Sequence, residues 1–362
     1  MAFALPAYNA PDFSKLINSP DARLSAVESD GILPDGYHAT SIYPEYYKIK
    51  GKWKLAEDSR MDCVAAVTDK KISIVEARNV KKGDLIVIGR TKCGEEGIYL
   101  NANPFRPREE ASESFAFRSG RTRETAFSMD YDNLYNLLSY EKDHGNILWV
   151  MGPAFAFDYD ARRAMQALAE NGFVHGILAG NALATHDLEA GFFKTALGQD
   201  IYSQKTVKNG HYHHLDIINK VRKAGSIKDF ISEAGIKDGI MFSVIKNDIP
   251  YVLTGSIRDD GPLPEVISDS YEGQFRMRAL VRKATTVICM ATQLHAIATG
   301  NMTPCFRVKD GAVRPLYIYA VDISEFAVNK LADRGSLSAV SMVTNVQDFA
   351  VHLARGVIKE YA

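Results

Sequence analysis

The chain has 362 residues, 46% hydrophobic and 24% charged, an ordinary globular balance with enough length for two domains. Its 43 Lys and Arg nearly cancel 44 Asp and Glu, so no field is available to hold a polyanion, and nucleic acid is excluded as a partner. The opening MAFALPAYNAPDF has no basic segment, and no window reaches the roughly 18 apolar residues of a membrane span, so a cytoplasmic chain without leader or membrane segment is expected.

Taken in chain order, the first part is short and alternating. Tyr47 to Leu55 (YKIKGKWKL) sets Tyr, Ile, Gly, Trp and Leu against Lys48, Lys50, Lys52 and Lys54, which predicts one half-buried strand with a solvated lysine face. MDCVAAV, KKISIVEA and DLIVIGR follow as further strands, separated by polar turns. The charged stretch Arg106 to Thr125 lacks periodicity and reads as a loop or linker. These features predict a small β-rich domain over 1–145.

Near residue 145 the rhythm becomes strand, polar turn, helix. NILWVMGP, VHGILAGN, YVLTGS, TTVICMAT, LYIYAVDIS and SAVSMVTN are apolar runs of strand length that end in Gly, Ser, Thr, Asn or Asp. Runs that do not alternate are buried on both faces, which predicts a parallel sheet covered by helices over 146–362. In DARRAMQALAENGF, Ala161, Met165, Leu168 and Ala169 share a helix face and Gly172 is a stop signal. Cys63, Cys93, Cys289 and Cys305 form no C-x-x-C pair and read as reduced thiols, with Cys289 in the core.

In an open parallel sheet, ligands bind at the carboxyl ends of the strands. There the sequence places Gly152-Pro153, Gly180-Asn181, the stretch Ser256-Ile257-Arg258-Asp259-Asp260-Gly261, Thr292 through Asn301, and Asp322. A glycine at such a turn lets backbone N–H groups approach a phosphate, although any one of them also makes a tight turn unaided. Asp322 fits either the grip on a ribose hydroxyl or an N-cap for the helix that follows. Arg258, Asp259 and Asp260 offer one cation and two carboxylates, or a self-contained salt-bridged loop.

The histidines divide. In HYHH, His211 and His213 point apart on a helix, and no cysteine or fourth ligand has metal-site spacing, so no metal is expected. His186 and Asp187 lie about one and a half helical turns past Asn181, where a packed core histidine is the plain reading. His295, one turn into the helix behind Thr292, is better placed to face a cleft. Lys246 at an apparent helix end is either a base or a cation complementing the helix dipole. The G-x-G-x-x-G dinucleotide fingerprint is absent.

LAGNALATHDLEA, GHYHHLDIINKVRKAGSI, YVLTGSIRDDGPLPEVISD, ATQLHAIATGNM and VDISEFAVNKLADRGS, with the weaker SRMDCVAAV, ARNVKKGDLIVIG and FAFRSG before them, resemble the archaeal-type ornithine cyclodeaminases. They are also similar to the C-terminal domain of cyanobacterial arginine dihydrolase/ornithine cyclodeaminase. The resemblance implies a nucleotide-binding fold like that of deoxyhypusine synthase, with NAD at the strand ends, which accounts for the missing fingerprint. It makes Asn181, Ser256, Asp259, Asp260, His295, Asn301 and Asp322 candidates for the NAD and substrate cleft, with Gly180 and Thr292 beside them.

It also implies cyclisation of ornithine to proline with loss of ammonia. That chemistry needs a base for the amine, from Asp322, Asp259 or Asp260, with His213, His214 or Lys246 as second choices. It needs a cation for the substrate carboxylate, from Arg258, Arg60 or Arg118. A homo-oligomer, dimer or tetramer, is the expected assembly. A dehydrogenase of the amino-acid or opine type, or a cyclodeaminase for another basic amino acid, is the alternative. The chain departs from the family pattern at GPAFAFDYD, at Asn345 and at Cys305.

Overall fold

Seven short strands come first: β1 (Arg23–Ala26), β2 (Glu45–Ile49), β3 (Lys52–Leu55), β4 (Val64–Val67), β5 (Ile72–Val75), β6 (Leu85–Ile88) and β7 (Ile98–Leu100). They form two antiparallel sheets, ordered β1-β6-β4-β5 and β3-β2-β7. The computed structural model describes residues 3–69, 71–105, 127–259, 261–325, 328 and 339–361.

The expected single strand over 47–55 is a hairpin. Ile49 pairs with Lys52 across a two-residue turn in which Lys50 and Gly51 both have positive φ, +54° and +75°. Such a turn matches strand twist, and alternation continues straight through it, so periodicity alone does not reveal the reversal. The solvated lysine face is corrected as well. Lys48 is buried, and its Nζ donates to the carbonyls of Ile17 (2.8 Å) and Ser19 (2.6 Å).

The second unit contains a six-stranded parallel sheet. Its strands are β8 (Ile147–Met151), β9 (Gly176–Gly180), β12 (Tyr251–Thr254), β13 (Thr286–Met290), β16 (Tyr317–Asp322) and β17 (Ala339–Val343). All six apolar runs identified in the sequence are these strands. β8 and β13 are buried at every position, as strands covered on both faces must be.

One face is covered by α1 (Ser128–His144), α2 (Tyr159–Glu170), α3 (Asn181–Phe193), α4 (His213–Ala224), α5 (Ile227–Glu233), α6 (Ile240–Lys246) and α9 (Val346–Val357). The other is covered by α7 (Ser270–Val281) and α8 (Leu294–Met302). α2 starts where Asp158 accepts a hydrogen bond from the Ala161 amide (2.8 Å) and stops just before Gly172, at φ +80°. Because α1 buries Leu134, Leu137 and Leu138 in the sheet's core, the architecture changes before residue 146.

The sheet order is β12-β9-β8-β13-β16-β17. Numbered along the chain this is 3-2-1-4-5-6, the doubly wound Rossmann order, with its switch point between β8 and β13. There the two strand ends touch. The Gly152 amide donates to the Met290 carbonyl (2.8 Å), and a Cβ on Gly152 would lie 1.8 Å from the Ala291 carbonyl oxygen. Only glycine permits that approach. Ala291 itself sits in the left-handed region at φ +49°, a strained conformation at the ligand edge.

The two units meet through paired charge. Arg278 on α7, 3% exposed, donates to Glu76 and Asp58 and to the Ile74 carbonyl. Arg60 donates to the same Glu76, and Arg282 and Arg307 reach Asp58. Burial raises the Glu76 pKa, but the bond and charge of Arg278 outweigh it and hold the group down to about 2. A small hairpin, β14 (Phe306–Lys309) with β15 (Ala312–Pro315), adds Phe306 to an apolar contact with Ile42 of the first unit. All four cysteines are free, and burial pushes Cys289 and Cys305 up to about 12. Among the described residues no helix is long and apolar enough to cross a membrane.

Candidate active site

The carboxyl edge of the parallel sheet gathers most of the residues expected there. His295, on the first turn of α8, reaches over the strand ends so that its Nε2 lies 2.6 Å from Thr254 Oγ1, at the end of β12. Its Cε1 would be 3.2 Å from a Cβ on Gly180, at the end of β9. Thus the chain leaving β13 crosses the ends of β8 and β9. Burial lowers the His295 pKa below the ordinary imidazole value, while Asp259 pulls the other way.

α3 starts directly after Gly180, which supplies no side-chain cap. Its first-turn N–H groups are therefore available to an anion. Asn181 is buried, and its Oδ1 accepts from the Leu263 amide (3.0 Å), so it ties the loop after β12 to the helix start. Asp259 accepts from the Ser256 amide (2.8 Å), and Arg258 is exposed on the same loop. Asp322 ends β16, half-buried, and its Oδ1 accepts from the Ser324 amide (2.9 Å). Thr292 stands half-buried between β13 and α8.

Three large apolar side chains stand in solvent along this edge: Ile257 after β12, Leu294 after β13 and Ile323 after β16. An edge with open helix N–H groups, a carboxylate and uncovered apolar walls has the donor set that a dinucleotide's phosphates, ribose and bases require. The residues therefore fit NAD.

A second polar cluster lies behind this edge, and it turns on Glu189. That carboxylate is fully buried on α3. Its Oε2 is 2.9 Å from His186 Nδ1, and its Oε1 accepts from Thr195 Oγ1 (2.9 Å) and the Gly198 amide (3.2 Å). Burial pushes its pKa up, but the bonds from His186, Thr195 and Gly198 hold it below the ordinary glutamate value. Thr195 and Gly198 belong to a tight hairpin, β10 (Thr195–Ala196) with β11 (Gln199–Asp200). Gly198 and Gly210 lie back to back, where a Cβ on Gly210 would sit 2.2 Å from the Gly198 carbonyl oxygen. This approach brings the HYHH segment onto the hairpin.

Consequently His213 Nδ1 is 2.8 Å from Thr195 Oγ1, with its ring stacked on Phe193. The His214 ring lies 4.9 Å from His186. His186, Glu189 and His214 hold donor atoms within 4.8 Å of one another. This is the one grouping among the described residues whose atoms could hold a cation, although Glu189 Oε2 is already bonded to His186.

Other expected residues lie elsewhere. Lys246 ends α6 just before β12 begins, so it stands at the amino edge of the sheet, where its Nζ pairs with Glu170 (3.1 Å). As a base it is withdrawn: it is on the wrong side of the sheet and its charge is engaged. Arg60 is corrected for a similar reason, since its guanidinium is committed to Glu76 at the interface of the two units. Asn301 lies seven residues into α8, about 10 Å along the axis from the strand edge. Arg118 and Asp260 lie outside the described residues.

Sequence reasoning missed the pair His186–Glu189. The signal was present: in THDLEAG the two residues are three apart on a helix and share a face.

The chain is similar to known proteins over most of its length. Residues 134–353 match the family model "Arginine dihydrolase ArgZ-like, C-terminal, Rossmann fold", and 44–124 match its "C-terminal, first region". The ornithine cyclodeaminase of Methanocaldococcus jannaschii is 38% identical over 338 residues, covering 91% of this chain and 76% of that protein. The crystal structure of a conserved LOR/SDH protein from Methanococcus maripaludis superposes with a TM-score of 0.85 at 36% identity, over 94% of this chain and 99% of that one. The ternary complex of AgrE with ornithine and NAD+ superposes with a TM-score of 0.60 at 30% identity, over 94% of this chain and 46% of AgrE. The chain belongs to the ArgZ-like C-terminal family, the family of the archaeal ornithine cyclodeaminases.

Proposed function

We propose that this chain is an NAD-dependent ornithine cyclodeaminase, forming proline and ammonia from ornithine. The observation that carries the reading is the carboxyl edge of the parallel sheet, where α3's open N-terminus, Asp322 and His295 converge in a chain that aligns over nine-tenths of its length with a protein of that name.

When bound, NAD supplies a reversible acceptor for the hydrogen at the substrate's α-carbon. The protein does the rest. Asp322 is proposed to hold a ribose hydroxyl, and the α3 N-terminus with Gly180 and Asn181 a phosphate. Ser256, Asp259, Thr292 and His295 border the same cleft. Arg258, exposed on its loop, is suited to the substrate carboxylate. Ile257, Leu294 and Ile323 would be covered by the bound molecules, which keeps water from the reacting carbon–nitrogen bond. A cytoplasmic homo-oligomer, dimer or tetramer, goes with this reading and is open to light scattering.

The experiment is incubation of the protein with ornithine and NAD+ far below the ornithine concentration. Proline and ammonia should accumulate together, in equal amounts and in excess of the cofactor, with no net NADH. NADH rising in step with ornithine consumed would make the protein a dehydrogenase instead.

A further inference from the structure

The cluster behind the cofactor edge contains a buried carboxylate, three imidazoles and a hydroxyl. Its geometry is directional. Glu189 is held at Oε1 by Thr195 and the Gly198 amide, so Oε2 is fixed facing His186 Nδ1 at 2.9 Å. An ionised carboxylate only accepts hydrogen bonds, so Nδ1 must carry the proton that bridges them. In the neutral ring this leaves the lone pair on Nε2, the arrangement by which a carboxylate sets a histidine's tautomer in nucleophilic and proton-transfer sites.

The position suits such a role. His186 lies five residues into α3, about 7.5 Å along the axis from the helix's first residue, Asn181. The Phe157 ring, on the turn that leaves the carboxyl end of β8, packs T-shaped against the His186 ring with centroids 5.2 Å apart. Of the described groups expected to serve as base, Asp322 and Asp259 each cap a local amide, Lys246 is at the opposite edge, and His213 is bonded to Thr195. His38 and Glu45 make a similar buried pair, but within the β-rich unit, where Ser41 and Tyr47 also engage Glu45.

We propose that His186 and Glu189 form a catalytic dyad in which His186 Nε2 takes the proton from the substrate's ammonium group and Glu189 holds the ring in the tautomer that can accept it. This rests on the ornithine reading above and names its base. The substrate N–H bond breaks and an Nε2–H bond forms. The imidazolium stays paired with the Glu189 carboxylate, and the freed amine lone pair supports loss of hydrogen from the neighbouring carbon. The same proton leaves on the departing ammonia, so ornithine, a cation, gives neutral proline and ammonium with charge conserved.

The decisive variant is Glu189→Gln. Its amide keeps an oxygen for Thr195 and Gly198 but directs N–H at His186 Nδ1, forcing the proton to Nε2. Proline formation should fall about 100-fold or more, while NAD+ affinity by titration calorimetry stays within about threefold. His186→Ala should lose as much and regain activity with added imidazole. The acid limb of the wild-type kcat/KM profile should move in Glu189→Gln. Among the described residues, the titratable groups facing His186 are Glu189 on its own helix and His214 from α4; Phe157 presents only an apolar ring.

Retention of wild-type proline formation in Glu189→Gln would overturn the dyad. So would failure of imidazole to rescue a folded, NAD-binding His186→Ala, or activity lost to chelation and restored by Zn2+, which would make the three side chains metal ligands. If Glu189→Gln does not fold, imidazole rescue of His186→Ala decides. A wild-type protein that binds NAD+ but makes no proline from ornithine would sink the functional reading itself, a distinguishable result.

Discussion

Carboxylates in two regions of this molecule differ in what stands opposite. At the interface of the two units, Asp58 and Glu76 face the guanidiniums of Arg60, Arg278, Arg282 and Arg307. Behind the sheet's carboxyl edge, Glu189 faces imidazole and hydroxyl groups. A guanidinium keeps its proton at any working pH, so the first arrangement holds elements together and does nothing else. An imidazole gives and takes a proton near neutrality, so the second can do chemistry. α3 carries both kinds within three residues. Asp187 pairs with Arg162 (2.8 Å) and accepts the Ile240 and Met241 amides, while Glu189 pairs with His186.

The sharpest way to break the comparison is Arg162→Met. It leaves Asp187 buried with its cation gone and should cost about 3–5 kcal/mol in urea unfolding. Chemistry per folded molecule should be unaltered. Glu76→Gln at the interface should cost about 2 kcal/mol, the worth of hydrogen bonds to a charged partner. Its folded fraction should turn over ornithine normally. If either variant lost turnover while keeping stability, the division between structural and chemical carboxylates would be wrong.

Asp322→Asn tests the cofactor edge. NAD+ affinity should fall about tenfold, or about 1.4 kcal/mol, with thermal stability nearly unchanged, as calorimetry and melting can show.

Acid should weaken the fold in two stages. Burial holds His175 and His295 below the ordinary 6.5, so the unfolded chain binds their protons first and stability falls as pH drops below 6.5. Glu76 and Glu189 lie below the ordinary 4.5, so a second loss begins near that pH and continues towards 2 as Glu76 is protonated. These groups contribute no slope above pH 7. Denaturant midpoints across this range measure it. The smallest effect belongs to Lys246→Met, within about 0.5 kcal/mol of wild type and with normal turnover.

Much of this layout was legible in the sequence, for reasons that can be stated. The six sheet strands stood out because strands buried on both faces are apolar without alternation, and their polar exits marked the ligand edge. The β2–β3 hairpin did not stand out, because Lys50-Gly51 turns without interrupting the two-residue period. The position of Lys246 follows from chain order alone: a residue closing the helix before a parallel strand must lie at the amino edge, away from the ligand. His186 taken alone reads as core. Weighed with Glu189, one helical turn on, it becomes half of a pair. What no local pattern carried is the contact of Gly198 with Gly210, which sets HYHH beside α3 across twelve residues of chain.

The most direct test of the account is hydrogen–deuterium exchange with and without NAD+. Protection should concentrate on residues 152–157, 180–186, 254–259, 291–295 and 322–325, the segments that leave the carboxyl ends of five strands. Protection around 170 and 246 at the amino edge, or none anywhere in the sheet's loops, would contradict it.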